Sequence, residues 1–151
     1  MSRMKKFPKQ RNPYPVIDVI VEKSDQIVVI QRSDEMYDTK FSFPGGFVEW
    51  GETVEYAAVR EASEETGLKI KLKDILGVYS SPKRDRRGHI MTVVFIAVPI
   101  GGYLRSGDDA KSAKWIYITG LRPSDFGGDH GKIFSDYMQY RKYRGTFWST
   151  K

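Results

Sequence analysis

The sequence predicts an α/β protein in which a mixed β-sheet lies between helices, an α/β/α sandwich. Three observations carry this. Apolar, β-branched runs recur at 15–22, 26–32, 75–80, 90–100 and 113–118, separated by polar or glycine-containing stretches. Two other stretches, 54–66 and 129–142, repeat their apolar residues at helical spacing. The run over 90–100 is nearly all apolar, as in a central strand covered on both faces, so a helical layer is expected on each side.

The elements follow in order. Residues 1–15, with prolines at 8, 13 and 15, read as an extended basic arm. The runs 15–22 and 26–32 flank Lys23-Ser24-Asp25 and predict a hairpin. A polar loop, Ser33 to Lys40, leads to Phe41-Ser42-Phe43 and the turn Pro44-Gly45-Gly46. A helix follows, with Thr53 as its N-cap and Gly67 at its C-terminal turn. Leu68 to Lys73 alternates apolar residues with lysine, the pattern of an edge strand. Strands at 75–80, 90–100 and 113–118 and a terminal helix over Asp129–Lys142 complete the fold, in one domain spanning 16–145 with a tail at 146–151.

Composition narrows the function. A chain of 151 residues makes one domain with a sizeable core. There is no cysteine, which excludes disulfides and thiolate metal sites. No apolar run approaches a membrane span, and the basic start lacks the apolar segment of a signal peptide, so a cytoplasmic protein without a membrane partner is expected. The net charge of +6 belongs to the ends: Arg3, Lys5, Lys6, Lys9 and Arg11 open the chain, and five basic residues against Asp136 close it. With the body between them acidic and no recognition motif present, nucleic acid is not an expected partner.

The densest chemistry lies between Gly46 and Leu68. A helix turns about 100° per residue, so Glu61, Glu64 and Glu65 project from one narrow face. Val54, Ala57 and Ala58 lie on that same face one and two turns earlier. Acids on a merely solvated helix would stand opposite the apolar stripe. Here they continue it, where a hard cation would relieve their repulsion.

This segment resembles the Nudix box, the signature of hydrolases that cleave nucleoside diphosphates linked to another moiety. Gly46, Glu52, Arg60, Glu61, Glu64, Glu65, Gly67 and Leu68 occupy its fixed positions; Ala62 is smaller than the usual branched aliphatic. The resemblance implies a Nudix-type sandwich in which Glu61, Glu64 and Glu65, with the backbone oxygen of Gly45, hold Mg²⁺, Mn²⁺ serving as a substitute. It also makes Arg60 the residue that fixes a carboxylate through its planar fork. Glu52 is either an outer carboxylate or a cap on the helix.

The loop Ser81-Pro82-Lys83-Arg84-Asp85-Arg86-Arg87-Gly88-His89 resembles a segment of Nudix proteins of the ADP-ribose pyrophosphatase subgroup, with Arg86 in place of the usual proline. The resemblance implies substrate contacts from Arg84, Arg87 and His89; alternatively His89 only orders the loop. Gly107-Asp108-Asp109-Ala110 resembles the loop that brings further acid to the metals, Asp109 as a catalytic residue and Asp108 toward substrate. Phe43, Phe47 and Trp50 are candidates to stack on adenine. The expected reaction is Mg²⁺-dependent hydrolysis of ADP-ribose to AMP and ribose 5-phosphate, with Glu61, Glu65 or the Asp108–Asp109 pair as base. Two alternatives stay open: a pyrophosphohydrolase of nucleoside triphosphates or dinucleoside polyphosphates, and a non-catalytic ADP-ribose sensor. Related enzymes are often homodimers, and the aromatic content is compatible with pairing.

Overall fold

The computed structural model describes residues 10–32, 40–105 and 111–151. β1 (Tyr14–Lys23) and β2 (Gln26–Arg32) form the expected hairpin, with Lys23 opposite Gln26 and Ser24 at a left-handed φ of 54°. β3 (Phe41–Ser42) and β4 (Gly45–Phe47) precede α1 (Val54–Thr66). Then come β5 (Leu68–Tyr79), β6 (Ile90–Gly102), β7 (Lys111–Tyr117), two 3-10 turns, α2 (His130–Tyr143) and β8 (Phe147–Trp148).

The strands run β3-β2-β1-β6-β5-β8, with β4 beside β1 and β7 beside β2. β1 pairs with β6 in parallel and β5 with β6 antiparallel, so the sheet is mixed and the apolar β6 is central. Side chains alternate across it. Ile17, Val19 and Val21 join Ala57, Ala58 and Ala62 of α1 on one face; Ile20, Val94 and Ile96 join Ile133, Phe134 and Tyr137 of α2 on the other. The small alanines let α1 lie close to the strands, which brings its acidic end down onto β4.

Several boundaries differ from the sequence reading, three of them with a clear physical reason. β1 begins at Tyr14, inside the expected arm, because Tyr14 pairs with Ile90 and its N–H donates to the His89 carbonyl at 2.9 Å. The two strands expected at 68–73 and 75–80 are one, broken in register near Asp74, whose carboxylate accepts from Tyr140 Oη at 2.9 Å. The expected tail holds β8, admitted beside β5 because a side chain at Gly77 would collide with the Phe147 carbonyl. Most of the expected loop from Ser33 to Lys40, the first nine residues, and both Asp108 and Asp109 lie outside the described residues.

Polar side chains tie α2 to the sheet. Tyr79 Oη donates to Asp136 Oδ2 at 2.7 Å and Tyr137 Oη bonds Glu22; within α2 itself, Lys132 Nζ reaches Asp136 at 2.8 Å. Burial first, and then the bond to Asp136, push the Tyr79 hydroxyl well above its ordinary value. A tyrosine held protonated in the fold adds stability below its unfolded pKa, and that stability is lost as pH rises past about 10. Tyr79→Phe is therefore expected to cost about 1 kcal/mol at neutral pH. That cost should shrink as pH climbs above about 10. Thermal melts of both proteins from neutral to alkaline pH measure it, and a constant difference would contradict the argument.

Candidate active site

The site is built around the pair Gly45-Gly46 on β4. Successive residues of a strand face opposite sides. Gly46 stands opposite Ile17, on the α1 side, where an added methyl would strike the Glu61 carboxylate. Gly45 stands opposite Asp18, on the α2 side, and a methyl there would strike Asp18 and the Ile17 carbonyl. At Gly45 the obstacle includes backbone, so glycine is required there; at Gly46 it is only the end of the Glu61 side chain.

Helix α1 delivers the acids. Thr53 Oγ1 accepts from Tyr56 N at 3.1 Å, and Gly67 closes the helix with φ 77°, so both ends are fixed by local sequence. The acids occupy its last two turns. Glu61 lies against Gly46, and Glu65 Oε2 accepts from Gly45 N at 3.4 Å. Glu64 is turned outward, its side chain 60% exposed.

Arg60 organises the cluster. Its Nε and Nη2 donate to the two Glu52 oxygens at 3.1 and 2.7 Å, and its Nη1 donates to Glu61 at 2.9 Å and Glu64 at 3.2 Å. Nη2 also donates to the Phe47 carbonyl at 3.1 Å, which locks the loop to the helix. Glu52 accepts from Glu49 N as well, at 2.7 Å, so its carboxylate fixes the loop before α1. The arginine fork holds Glu52 below the usual carboxylate range. Glu61 goes the other way: burial raises it, Arg60 opposes this, and repulsion from Glu65 and Glu64 adds to the rise.

Among the described residues no three acidic or imidazole groups form a ready-made metal cage. Of the expected set, Glu61 and Glu65 lie against the turn, and the more exposed Glu64 shares Arg60 Nη1 with Glu61. The donors at the turn suit a hard divalent ion: two carboxylates, one of them half-buried and electrostatically crowded, beside the backbone of two glycines.

Arg84 and His89 are already engaged within the protein. Arg84, its side chain 5% exposed, forks onto Asp129 at 2.8 Å through both Nε and Nη2, and its Nη1 donates to Thr92 Oγ1 at 2.6 Å. Asp129 thus clamps a loop instead of capping α2 with its side chain. His89 Nε2 meets the Ser80 carbonyl at 2.9 Å, which orders the loop. Arg87 bonds Asp85 at 2.9 and 3.1 Å and lies over the Phe47 ring, 5.9 Å from its centroid. Of the candidate stacking rings, Phe43 is buried between Phe126 and His130, Phe47 is half exposed and Trp50 is fully exposed.

Sequence reasoning missed Asp18 and Ser42. Asp18 is buried, 3.7 Å from His130 Nε2, and His130 Nδ1 accepts from Phe43 N at 3.1 Å. A carboxylate at an inward position of the otherwise apolar β1 was the available signal.

One variant separates geometry from stability. In Gly46→Ala the obstacle is the far end of the flexible Glu61 side chain, so Glu61 swings aside at little cost to the fold. Turnover should fall roughly tenfold or more, since a displacement of about 1 Å at a reacting centre costs on that scale. Steady-state rates and a melting curve check both parts; full activity would show that Glu61 need not sit on the turn.

Comparison with known proteins shows the family and the fold. The chain matches the NUDIX domain family over residues 12–137. It is 49% identical over 138 residues to the ADP-ribose pyrophosphatase of Methanocaldococcus jannaschii, a match covering 91% of this chain and 80% of that protein. A Nudix hydrolase from Nitrosomonas europaea shares the fold with a TM-score of 0.80 at 20% identity, over 93% of this chain and 78% of that one. The bifunctional NMN adenylyltransferase/ADP ribose pyrophosphatase of Francisella tularensis, complexed with AMP and a manganese ion, superposes with a TM-score of 0.69 at 25% identity, over 91% of this chain and 44% of that one. The glycine turn, the acidic end of α1 and the arginine that organises it stand where the family signature requires them, and the chain belongs to the Nudix family of hydrolases.

Proposed function

We propose that the chain hydrolyses ADP-ribose to AMP and ribose 5-phosphate, with Mg²⁺ as its metal and Mn²⁺ as a substitute. The observation that carries the proposal is the pair Glu61 and Glu65 pressed against Gly46 and Gly45. The similarity to the Methanocaldococcus enzyme supports the choice of substrate. Glu61, Glu65, Glu64 and the backbone of Gly45 are the groups that would hold the metal. When bound, the ion offsets pyrophosphate charge and makes water more acidic.

The chain's own residues do the rest. Water oxygen bonds to one phosphorus, the bridging P–O bond breaks, and a carboxylate takes the proton. Glu61, Glu65 and the pair Asp108 and Asp109 are the candidates for that base, and Asp109 is proposed as catalytic with Asp108 toward substrate. Arg60 holds Glu61 and Glu64 in position without touching the reacting atoms. Arg84, Arg87 and His89 shape the substrate loop. No helix among the described residues is long and apolar enough to cross a membrane, and we place the enzyme in the cytoplasm. Pairing into a homodimer belongs to the same proposal and is read by light scattering.

A turnover panel in ¹⁸O-labelled water tests the substrate. ADP-ribose should be cleaved faster than modified nucleoside triphosphates or dinucleoside polyphosphates, and product masses identify the attacked phosphorus. Faster cleavage of triphosphates would replace the substrate and keep the chemistry. Binding without turnover in saturating Mg²⁺ and Mn²⁺ would make the protein a sensor.

A further inference from the structure

The loop from Ser80 to His89 carries Lys83, Arg84, Arg86 and Arg87 without a strand or helix of its own to hold it. Arg84 pins its middle to Asp129 at the start of α2. Its base is held by a residue from β8's side of the molecule. Ser149 Oγ accepts from Ser80 N at 2.8 Å and from Ser81 N at 3.2 Å. A hydroxyl oxygen has two lone pairs, and both are used here.

The same peptide unit is gripped at its other end. The Ser80 carbonyl meets His89 Nε2 at 2.9 Å, and a carbonyl only accepts, so that nitrogen carries the hydrogen. The Ser80–Ser81 peptide therefore has its C=O tied to the end of the loop and its N–H tied to Ser149. The Ser81 carbonyl accepts from Arg84 N at 3.1 Å, in the turn that aims Arg84 at its clamp. The His89 carbonyl accepts from Tyr14 N, which joins the exit of the loop to β1.

The segment that carries Ser149 is anchored on both sides. Phe147 is buried in the α2-side core with Leu76 and Tyr79, and β8 pairs with β5 at Gly77 and Val78. Lys151 N donates to the Trp148 carbonyl at 3.1 Å, which turns the chain at Ser149 and Thr150. Lys132 Nζ of α2 donates to the Lys151 carbonyl at 3.0 Å. Hydrogen bonds open to water add little to global stability. Two of them on adjacent amides fix the direction in which a loop leaves its strand, and a loop presents its side chains only as well as its base is held.

We infer that Ser149 is a positioning residue for the substrate loop, setting the place of its arginines from outside the glycine turn. The inference rests on the proposed function only in taking the loop 81–89 as a part that meets substrate. Contacts made equally before and during reaction govern KM and leave kcat alone. In Ser149→Ala the KM for ADP-ribose should rise about fivefold, with kcat changed by less than about twofold. Amide hydrogen exchange at Ser80, Ser81 and Arg84 should quicken about fivefold, while the amides of Ile17, Val94 and Ile96 keep the parent's rates. Ser149→Thr keeps the hydroxyl and should restore both. Unchanged exchange, an unchanged KM, a loss confined to kcat, or a threonine variant no better than alanine would each overturn the assignment. Faster exchange throughout the fold would make Ser149 a structural residue only. If the parent leaves ADP-ribose intact, the proposed reaction falls while this inference is still read, from exchange and from calorimetric affinity for ADP-ribose without metal. That affinity should drop by the same factor in Ser149→Ala, and equal values in variant and parent would overturn the inference as well.

Discussion

Glu65→Gln should lower turnover by two orders of magnitude or more while leaving the fold intact. The substitution keeps the shape of the side chain and removes only its charge. Glu65 lies on the last turn of α1 beside Gly45 N, 3.4 Å away, and its carboxylate is one of the two that stay on the glycine turn. A hundredfold loss corresponds to about 2.7 kcal/mol of transition-state stabilisation, a scale expected when a group that organises a metal is neutralised. Steady-state kinetics with saturating Mg²⁺ measure the loss, and titration with Mn²⁺ followed by electron paramagnetic resonance should show weaker binding. Equal turnover in the variant and the parent would remove Glu65 from the chemistry.

Arg84→Met should produce the largest loss of stability, about 3 kcal/mol, because it breaks a shielded ion pair and leaves Asp129 without its fork. For a domain of this size that corresponds to a fall in melting temperature of roughly 6–12 °C. Adding Asp129→Asn should recover part of the loss, since the two side chains are coupled through direct contact. A variant that melts like the parent but no longer turns over would mean that the guanidinium serves substrate and not the loop.

Local signals in the sequence had local consequences in the structure. The β-branched runs became β1, β2 and β6, and Thr53 and Gly67 bounded α1 because each acts on backbone groups within a few residues of itself. The acidic face of α1 was legible for the same reason. What stayed hidden depends on residues far apart in the chain. Arg84 and Asp129 are 45 positions apart, and nothing near Arg84 distinguishes a buried clamp from an exposed phosphate contact. The Asp18–His130 pair joins a strand to a helix at the other end of the chain. β8 leaves no trace in the sequence pattern because two residues carry no period, and the missing side chain at Gly77 is what admits them.

The two adjacent glycines of β4 look in opposite directions, one toward the Glu61 carboxylate of α1 and the other toward Asp18 of β1. Two acids that belong to opposite faces of the sheet therefore close in on the same two residues of bare main chain, and a methyl group added to either one is felt on one face only.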